Sequence, residues 1–366
     1  MRMLRFLITG LAIFAVPLAA QIPPETLYVE SMPEPGPNWF IAKTGNGGYV
    51  FDAVSGQMQG MVDLSRLTPA VQPNPARREI YAAEQYYSRG VRGERTDVVT
   101  VYDYANLAPV AEVVIPPRMA RIGIRGHLAL TGEGRYLAVF NLTPAQSVSI
   151  VDVEARRFVG ELSTPGCAVM MPVAERDFLM LCGDGTVQLI QLAADGSEAN
   201  RVRSAVFFDV QTDPVFDRPV ATSNGWLLVT HQGRVFQVAT QAAQITVTGP
   251  WWLTTEDERA EKWRPGGGSQ FKALHRDTGF LYIAMHQGGD NTHHESGTEV
   301  WVVDSFTQRV LQRMTMETPV DTIGVTQDAQ PKLIIGGDGE TRIHDALSFR
   351  FERTINLPSA ASYEDF

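Results

Sequence analysis

Glu299-Val-Trp-Val-Val-Asp304, then a polar turn, then Val310-Leu-Gln-Arg-Met314: the reading of this segment decides the fold. β-Branched and aromatic residues favour a pleated strand, and an acidic residue followed by a turn ends it. The second apolar run returns beside the first, so the unit reads as a hairpin. The unit recurs towards the N-terminus as Arg234-Val-Phe-Gln-Val-Ala239, Thr186-Val-Gln-Leu-Ile-Gln191 and Ser147-Val-Ser-Ile-Val-Asp152. Further upstream it is Val98-Val-Thr-Val-Tyr-Asp103 and Tyr49-Val-Phe-Asp52, and near the C-terminus it is Glu340-Thr-Arg-Ile-His-Asp345. Most copies are trailed by a second apolar run, at residues 58–62, 109–115, 158–162 and 351–357.

Counted between positions 52, 103, 152, 191, 239, 304 and 345, the intervals are 51, 49, 39, 48, 65 and 41 residues. Four-stranded propeller blades repeat at roughly 40–50 residues. A turn rich in Gly, Asp or Glu leads into another apolar run ahead of most copies, as in Gly132-Glu-Gly-Arg-Tyr-Leu-Ala-Val139, Asn224-Gly-Trp-Leu-Leu-Val229 and Thr278-Gly-Phe-Leu-Tyr-Ile283. Two hairpins per repeat make one blade. The expected fold is all-β, a seven-bladed β-propeller of four-stranded antiparallel blades over residues 21–366. The aspartates at 52, 103, 152, 304 and 345 are expected to cap turns through their side chains. The best helix signal, residues 254–262 with Thr255 as N-cap and acids behind it, falls in the longest interval and reads as an insertion.

The 366 residues carry a net charge of −10, with 44% hydrophobic and 20% charged residues. A packed core follows, and a negative surface argues against nucleic acid as a partner. Residues 1–20 read as a signal peptide: Arg2 and Arg5, an apolar run from Phe6 to Val16, then Pro17-Leu-Ala-Ala20 before Gln21. That run is shorter than the ~20 residues of a spanning helix, so no membrane association is expected. Localisation in the periplasm follows from export. The two cysteines, Cys167 and Cys182, suit either a disulfide joining neighbouring strands or two buried thiols. A disulfide closing so short a loop stabilises by about 3 kcal/mol in the chain-entropy model.

Chemistry-bearing motifs are few. Gly267-Gly-Ser269-Gln-Phe lacks the second glycine of a nucleophile elbow, and Gly45-Asn-Gly-Gly48 opens no helix. The densest cluster, His286-Gln-Gly-Gly-Asp290-Asn-Thr-His293-His294-Glu295, has no helical ligand spacing, so it reads as a polar hairpin loop and no metal is expected. Trp251-Trp252, Trp263-Arg-Pro-Gly and the basic, aromatic loop Tyr86-Tyr87-Ser-Arg89-Gly-Val-Arg92-Gly-Glu-Arg95 suit either docking or local packing. From the residues alone, the chain is an exported propeller with a binding or scaffolding role.

Several segments add a resemblance. They are residues 92–97 (Arg-Gly-Glu-Arg-Thr-Asp), 141–145 (Asn-Leu-Thr-Pro-Ala), 151–156 (Val-Asp-Val-Glu-Ala-Arg), Thr164-Pro-Gly-Cys167 with Leu181-Cys-Gly-Asp-Gly185, Trp263-Arg-Pro-Gly-Gly267, and His286-Gln-Gly-Gly289 with Glu299-Val-Trp301. In order and spacing, from about Tyr49 to Asp345, they resemble the heavy subunit of the tryptophan tryptophylquinone-dependent methylamine and aromatic amine dehydrogenases. The resemblance implies a seven-bladed propeller that joins a light subunit, two heavy with two light. The light subunit would carry the tryptophan tryptophylquinone, and primary amines would become aldehyde and ammonia. Electrons would pass to a small periplasmic copper protein. This chain would then hold no catalytic residue and no cofactor. The resemblance also implies a disulfide between Cys167 and Cys182, and a substrate-channel aromatic for which Phe40, beside Trp39, is the counterpart. Only 28 positions separate Gln21 from Tyr49, against the longer acidic extension of some heavy chains. The alternative reading is a stand-alone periplasmic propeller that binds a protein or small ligand without enzymatic activity.

Overall fold

The computed structural model describes residues 31–66, 68, 70–357, 360 and 362–366. The signal peptide expected at residues 1–20 lies outside the described residues. Seven antiparallel sheets follow one another. Blade 2 is built from Val71–Asn74, Glu79–Arg89, Arg92–Asp103 and Pro109–Ile115, blade 3 from Leu128–Leu130, Tyr136–Asn141, Ser147–Asp152 and Arg157–Ser163. Cys167–Pro172, Asp177–Cys182, Val187–Leu192 and Glu198–Arg203 form blade 4; Val220–Thr222, Gly225–Val229, Arg234–Gln241 and Gln244–Trp252 form blade 5. Blade 7 is Thr322–Val325, Lys332–Gly337, Glu340–Asp345 and Phe351–Ile355.

Blades 1 and 6 depart from the plain repeat. In blade 6 the inner position is shared: Lys272–His275 and Trp263–Pro265 pair with opposite ends of Phe280–Gln287, and Gly297–Asp304 and Arg309–Val320 complete the sheet. Blade 1 draws on both ends of the chain. Trp39–Thr44, Gly47–Asp52 and Met58–Asp63 supply three strands, and Ser362–Asp365 supplies the innermost. Register there is Phe40 opposite Asp365, Ile41 opposite Glu364, Ala42 opposite Tyr363 and Lys43 opposite Ser362. The ring is thus closed by a strand that the repeat count did not reveal.

All seven repeat markers lie on third strands, five of them as the last residue and Gln191 and Ala239 within two residues of the end. There the side chains are largely buried on both faces, between neighbouring blades, so the runs need not alternate, and polar members such as Ser149 and Gln188 are buried too. Val300, Trp301, Val302 and Val303 are all buried. The outermost strand of the same blade alternates between half-buried and exposed, because one face meets solvent. The aspartates cap as expected, four of the five accepting backbone N–H bonds from the residues two and three further on. Asp103 takes Ala105 and Asn106, Asp152 takes Glu154 and Ala155, Asp304 takes Phe306 and Thr307, and Asp345 takes Leu347 and Ser348. Asp52 holds Val54 N–H and the Ser55 hydroxyl.

Three local readings resolve. Glu256–Ala260 is a helix capped by Thr255, with the Thr255 and Glu258 side chains each bonding the other's backbone N–H. Cys167 and Cys182 form a disulfide between directly opposed residues of the first two strands of blade 4, Cα atoms 4.0 Å apart. Residues 86–95 are not a loop. They continue two long strands to a tight turn at Gly90 and Val91, with Tyr86 opposite Thr96 and Tyr87 opposite Arg95.

Candidate functional site

Antiparallel order within each blade fixes which connections share a face. Turns between second and third strands fall on the same face as the links from one blade to the next; the remaining turns fall on the other. All the long excursions sit on the first face: links 116–127, 204–219 and 253–271, the hairpin loop 288–296, and the raised tip of blade 2. Among the described residues the opposite face carries short turns, the Asp-capped ones among them, and the stretch 32–38, where Met32 N–H donates to Ala105 O. One face is elaborated and one is plain.

The raised hairpin of blade 2 stands past its neighbours by about four residues on each strand, roughly 13 Å at strand rise. Two buried carboxylates root it. Glu84 accepts from Ser65 N–H at 2.5 Å, from the Thr100 hydroxyl and from the Tyr102 hydroxyl at 3.1 Å. Asp97 takes a two-pronged grip from Arg95 at 2.6 Å and Met119 N–H at 3.0 Å. The links before and after blade 2 are thereby tied to the hairpin, and its tip offers exposed Tyr86 and Val91 beside Arg89 and Arg92.

The histidine cluster is a hairpin loop on this face. His286 is buried, its Nε2 3.0 Å from the Thr292 hydroxyl, and Arg264 donates to Gly289 O at 2.6 Å. His293 stacks on His231 of blade 5, ring centroids 4.1 Å apart, and His294 lies 4.0 Å from His293. Burial, and then the neighbouring His293, push His231 down to about 4; burial and His294 push His293 down. At neutral pH the stack is therefore an uncharged contact between two blades. Among the described residues, no three His, Cys, Asp or Glu side chains converge on a point that could hold a metal ion.

The tryptophan segments are divided between packing and surface. Trp263 rests on Trp301 at 5.4 Å, and the Arg313 guanidinium covers Trp301 at 4.0 Å while pairing with Glu258 of the helix. Trp252 is partly exposed beneath Arg259 at 4.3 Å. The helix is thus clamped to the outer part of blades 5 and 6. Phe40 is only 1% exposed, between Phe51 at 6.0 Å and Tyr363 at 5.6 Å, and Trp39 packs edge-on against Phe366. Both sit at the closing blade.

Along the axis the innermost strands enclose a cavity of about 450 Å³. Arg125 reaches Glu364 at 2.5 Å and Asp365 at 3.3 Å, and Arg276 reaches Asp365 at 3.5 Å. Burial raises the Glu364 carboxyl to about 7, outweighing Arg125, which favours its ionised form. No motif signalled this group, because its members come from far-separated positions.

The class is now defined: a seven-bladed propeller with one plain face, one elaborated face and charged groups along its axis. The family model described as methylamine dehydrogenase heavy chain (MADH) matches residues 32–359. The methylamine dehydrogenase heavy chain of Paracoccus versutus is 30% identical over 318 residues, covering 84% of this chain and 72% of that one. The heavy chain of Methylobacillus flagellatus is 30% identical over 288 residues, 78% of this chain and 71% of the relative. The chain belongs to the methylamine dehydrogenase heavy chain family. A solved protein of unknown function from Desulfotomaculum acetoxidans shares the fold, with a TM-score of 0.62 at 12% identity over 90% of this chain and 98% of that one.

Proposed function

We propose that this chain is the non-catalytic heavy subunit of a periplasmic amine dehydrogenase that oxidises primary amines to aldehyde and ammonia. The family match over residues 32–359 carries the reading. In this proposal the elaborated face seats a light subunit, two heavy with two light. The raised hairpin of blade 2 and the loops of blades 5 and 6 form the rim of that seat. The tryptophan tryptophylquinone belongs to the light subunit and supplies the two-electron chemistry, and a small copper protein takes up the electrons. Two of this chain's six tryptophans are engaged within the blades: Trp301 is fully buried with its Nε1 donating to Glu299 at 2.7 Å, and Trp226 donates to Pro172 O at 2.8 Å. Phe40 and Trp39, the counterparts that the resemblance offers for a substrate-channel aromatic, stand opposite Phe51 and Asp52 at the plain-face end of blade 1 and so form no part of the rim of that seat.

The test is purification from the native host through a tag on this chain. Amine-dependent dye reduction, together with a small co-purifying subunit that stains for quinone, is the expected result. A single band without quinone stain or activity would overturn the reading in favour of a binding propeller.

A further inference from the structure

The axial cavity contains an amine that the ring does not answer. Its wall carries four cationic side chains, Arg125, Arg218, Lys272 and Arg276, and three carboxylates, Asp217, Glu364 and Asp365. Each carboxylate is held by arginine: Asp217 by Arg218, Glu364 and Asp365 by Arg125, and Asp365 also by Arg276. Lys272 is left over. It is 2% exposed, and its Nζ has no hydrogen-bond partner among the described residues. In place of acceptors it meets two ring faces, Phe271 at 3.8 Å and Phe216 at 5.1 Å. Ring faces soften the cost of a buried ammonium but do not replace its lost hydrogen bonds.

We propose that the axial cavity binds a small organic carboxylate, its head on Lys272 and its tail against the apolar wall. A carboxylate brings the missing negative charge and up to four acceptor sites for the three ammonium donors. The four-carbon stem of Lys272 lines the cavity and lets the ammonium swing towards the head. Leu128, Leu130, Val220, Leu274 and Val325 supply apolar patches of a wall that also carries Gln72, Ser269, Gln270, Gln327 and Ser362. The apolar patches suit a short aliphatic or aromatic tail. The volume lies in the range of small-molecule sites. Its wall includes Asp217, Arg218, Ser269 and Gln270 from links on the elaborated face, so it reaches the side of the proposed seat, but the unpartnered Lys272 is present whether or not a light subunit binds.

Protonation is part of the binding. Burial holds Lys272 well below the ordinary lysine range; of the charges facing it, Arg218 pushes the same way and Asp217 opposes. An incoming carboxylate favours the ammonium, so binding draws a proton onto the amine and weakens as pH rises. The experiment is isothermal titration of the full chain, in the assembly in which it purifies, with benzoate, butyrate, butyramide and inorganic phosphate. One carboxylate per chain is expected, with butyramide binding at least tenfold more weakly than butyrate and no competition from phosphate. Lys272→Met should weaken carboxylate binding at least tenfold and reduce its pH dependence to the part that Glu364, titrating in the same cavity, contributes. In wild type, heats measured in buffers of different ionisation enthalpy should reveal proton uptake, which tests the same point without a variant. Absence of carboxylate binding, equal binding of the neutral amide, stronger binding of phosphate, unchanged binding by Lys272→Met, or binding without proton uptake would each overturn the proposal.

Discussion

Replacing Phe40 by alanine removes a ring that fills the joint between the two ends of the chain. The side chain is 1% exposed and touches the rings of Phe51 and Tyr363, one on the adjacent strand and one on the closing strand. Phe→Ala at fully buried sites costs about 3–5 kcal/mol, the lost transfer energy plus the cavity left behind. The unit from Met32 to Phe366 spans about 335 residues. At about 2.1 cal/mol/K of unfolding entropy per residue, its total is ~0.7 kcal/mol/K. A loss of 4 kcal/mol then lowers the thermal midpoint by about 6 °C. Scanning calorimetry on wild type, Phe40→Ala and Phe40→Leu reads it, with the leucine variant recovering most of the loss. A midpoint within about 1 °C of wild type for Phe40→Ala would refute the reasoning, since the ring could not then be part of the closing joint.

Changing both Cys167 and Cys182 to alanine should lower stability by about 3 kcal/mol, the chain-entropy value for a loop of 15 residues, as read by urea unfolding under non-reducing conditions. Asp304→Ala removes acceptors from two backbone N–H groups and should cost about 1–3 kcal/mol, whereas Asp304→Asn, which keeps an acceptor, should cost less; equal losses would refute the turn-capping account. Glu364 has a folded pKa of about 7 against ~4.3 unfolded. The unfolded chain therefore sheds this proton first, and the group's contribution to stability declines as pH rises from about 4.3 to 7, then stays level. Glu364→Gln should flatten that part of the stability profile, and denaturant midpoints at pH 5 and 7.5 for both proteins would show it. Gly337→Ala should prevent proper assembly of blades 6 and 7, because the added Cβ would lie 1.8 Å from Pro319 O; a soluble variant with a wild-type midpoint would contradict the close approach.

What could be read beforehand was whatever repeats and whatever is buried twice. Third strands lie between two blades, so their apolar residues need not alternate, and Val300–Val303 or Val98–Val101 stand out against polar surroundings. The capping aspartates carry their partners two and three residues away, inside the same short segment. Inner strands are different. Val220–Thr222 and Leu128–Leu130 are three residues long, too short for a period to show. Ser362–Asp365 holds two acids and one aromatic, and its place in blade 1 depends on residues more than 300 positions away. The same distance hides the axial charges, since Arg125, Arg218, Lys272 and Glu364 meet only when the ring closes. The raised hairpin of blade 2 reads as a loop in the sequence because its tip is basic and glycine-flanked. Cross-strand pairing of Tyr86 with Thr96 and Tyr87 with Arg95 overrides that composition.

The closing strand also sets an order of events. Trp39–Thr44 is an apolar strand that lies one place out from the axis, and until Ser362–Asp365 arrives its inner edge has no backbone partner. An unpaired apolar edge is a template for another chain's strand. Pairing that bridges almost the whole chain length comes late in folding, because the loop-closure entropy must be met before the contact is formed. A chain emerging from its N-terminus thus exposes a sticky edge for as long as its last residues are missing. The ring's seam is where a crowded compartment, or a chaperone, would act on this protein first.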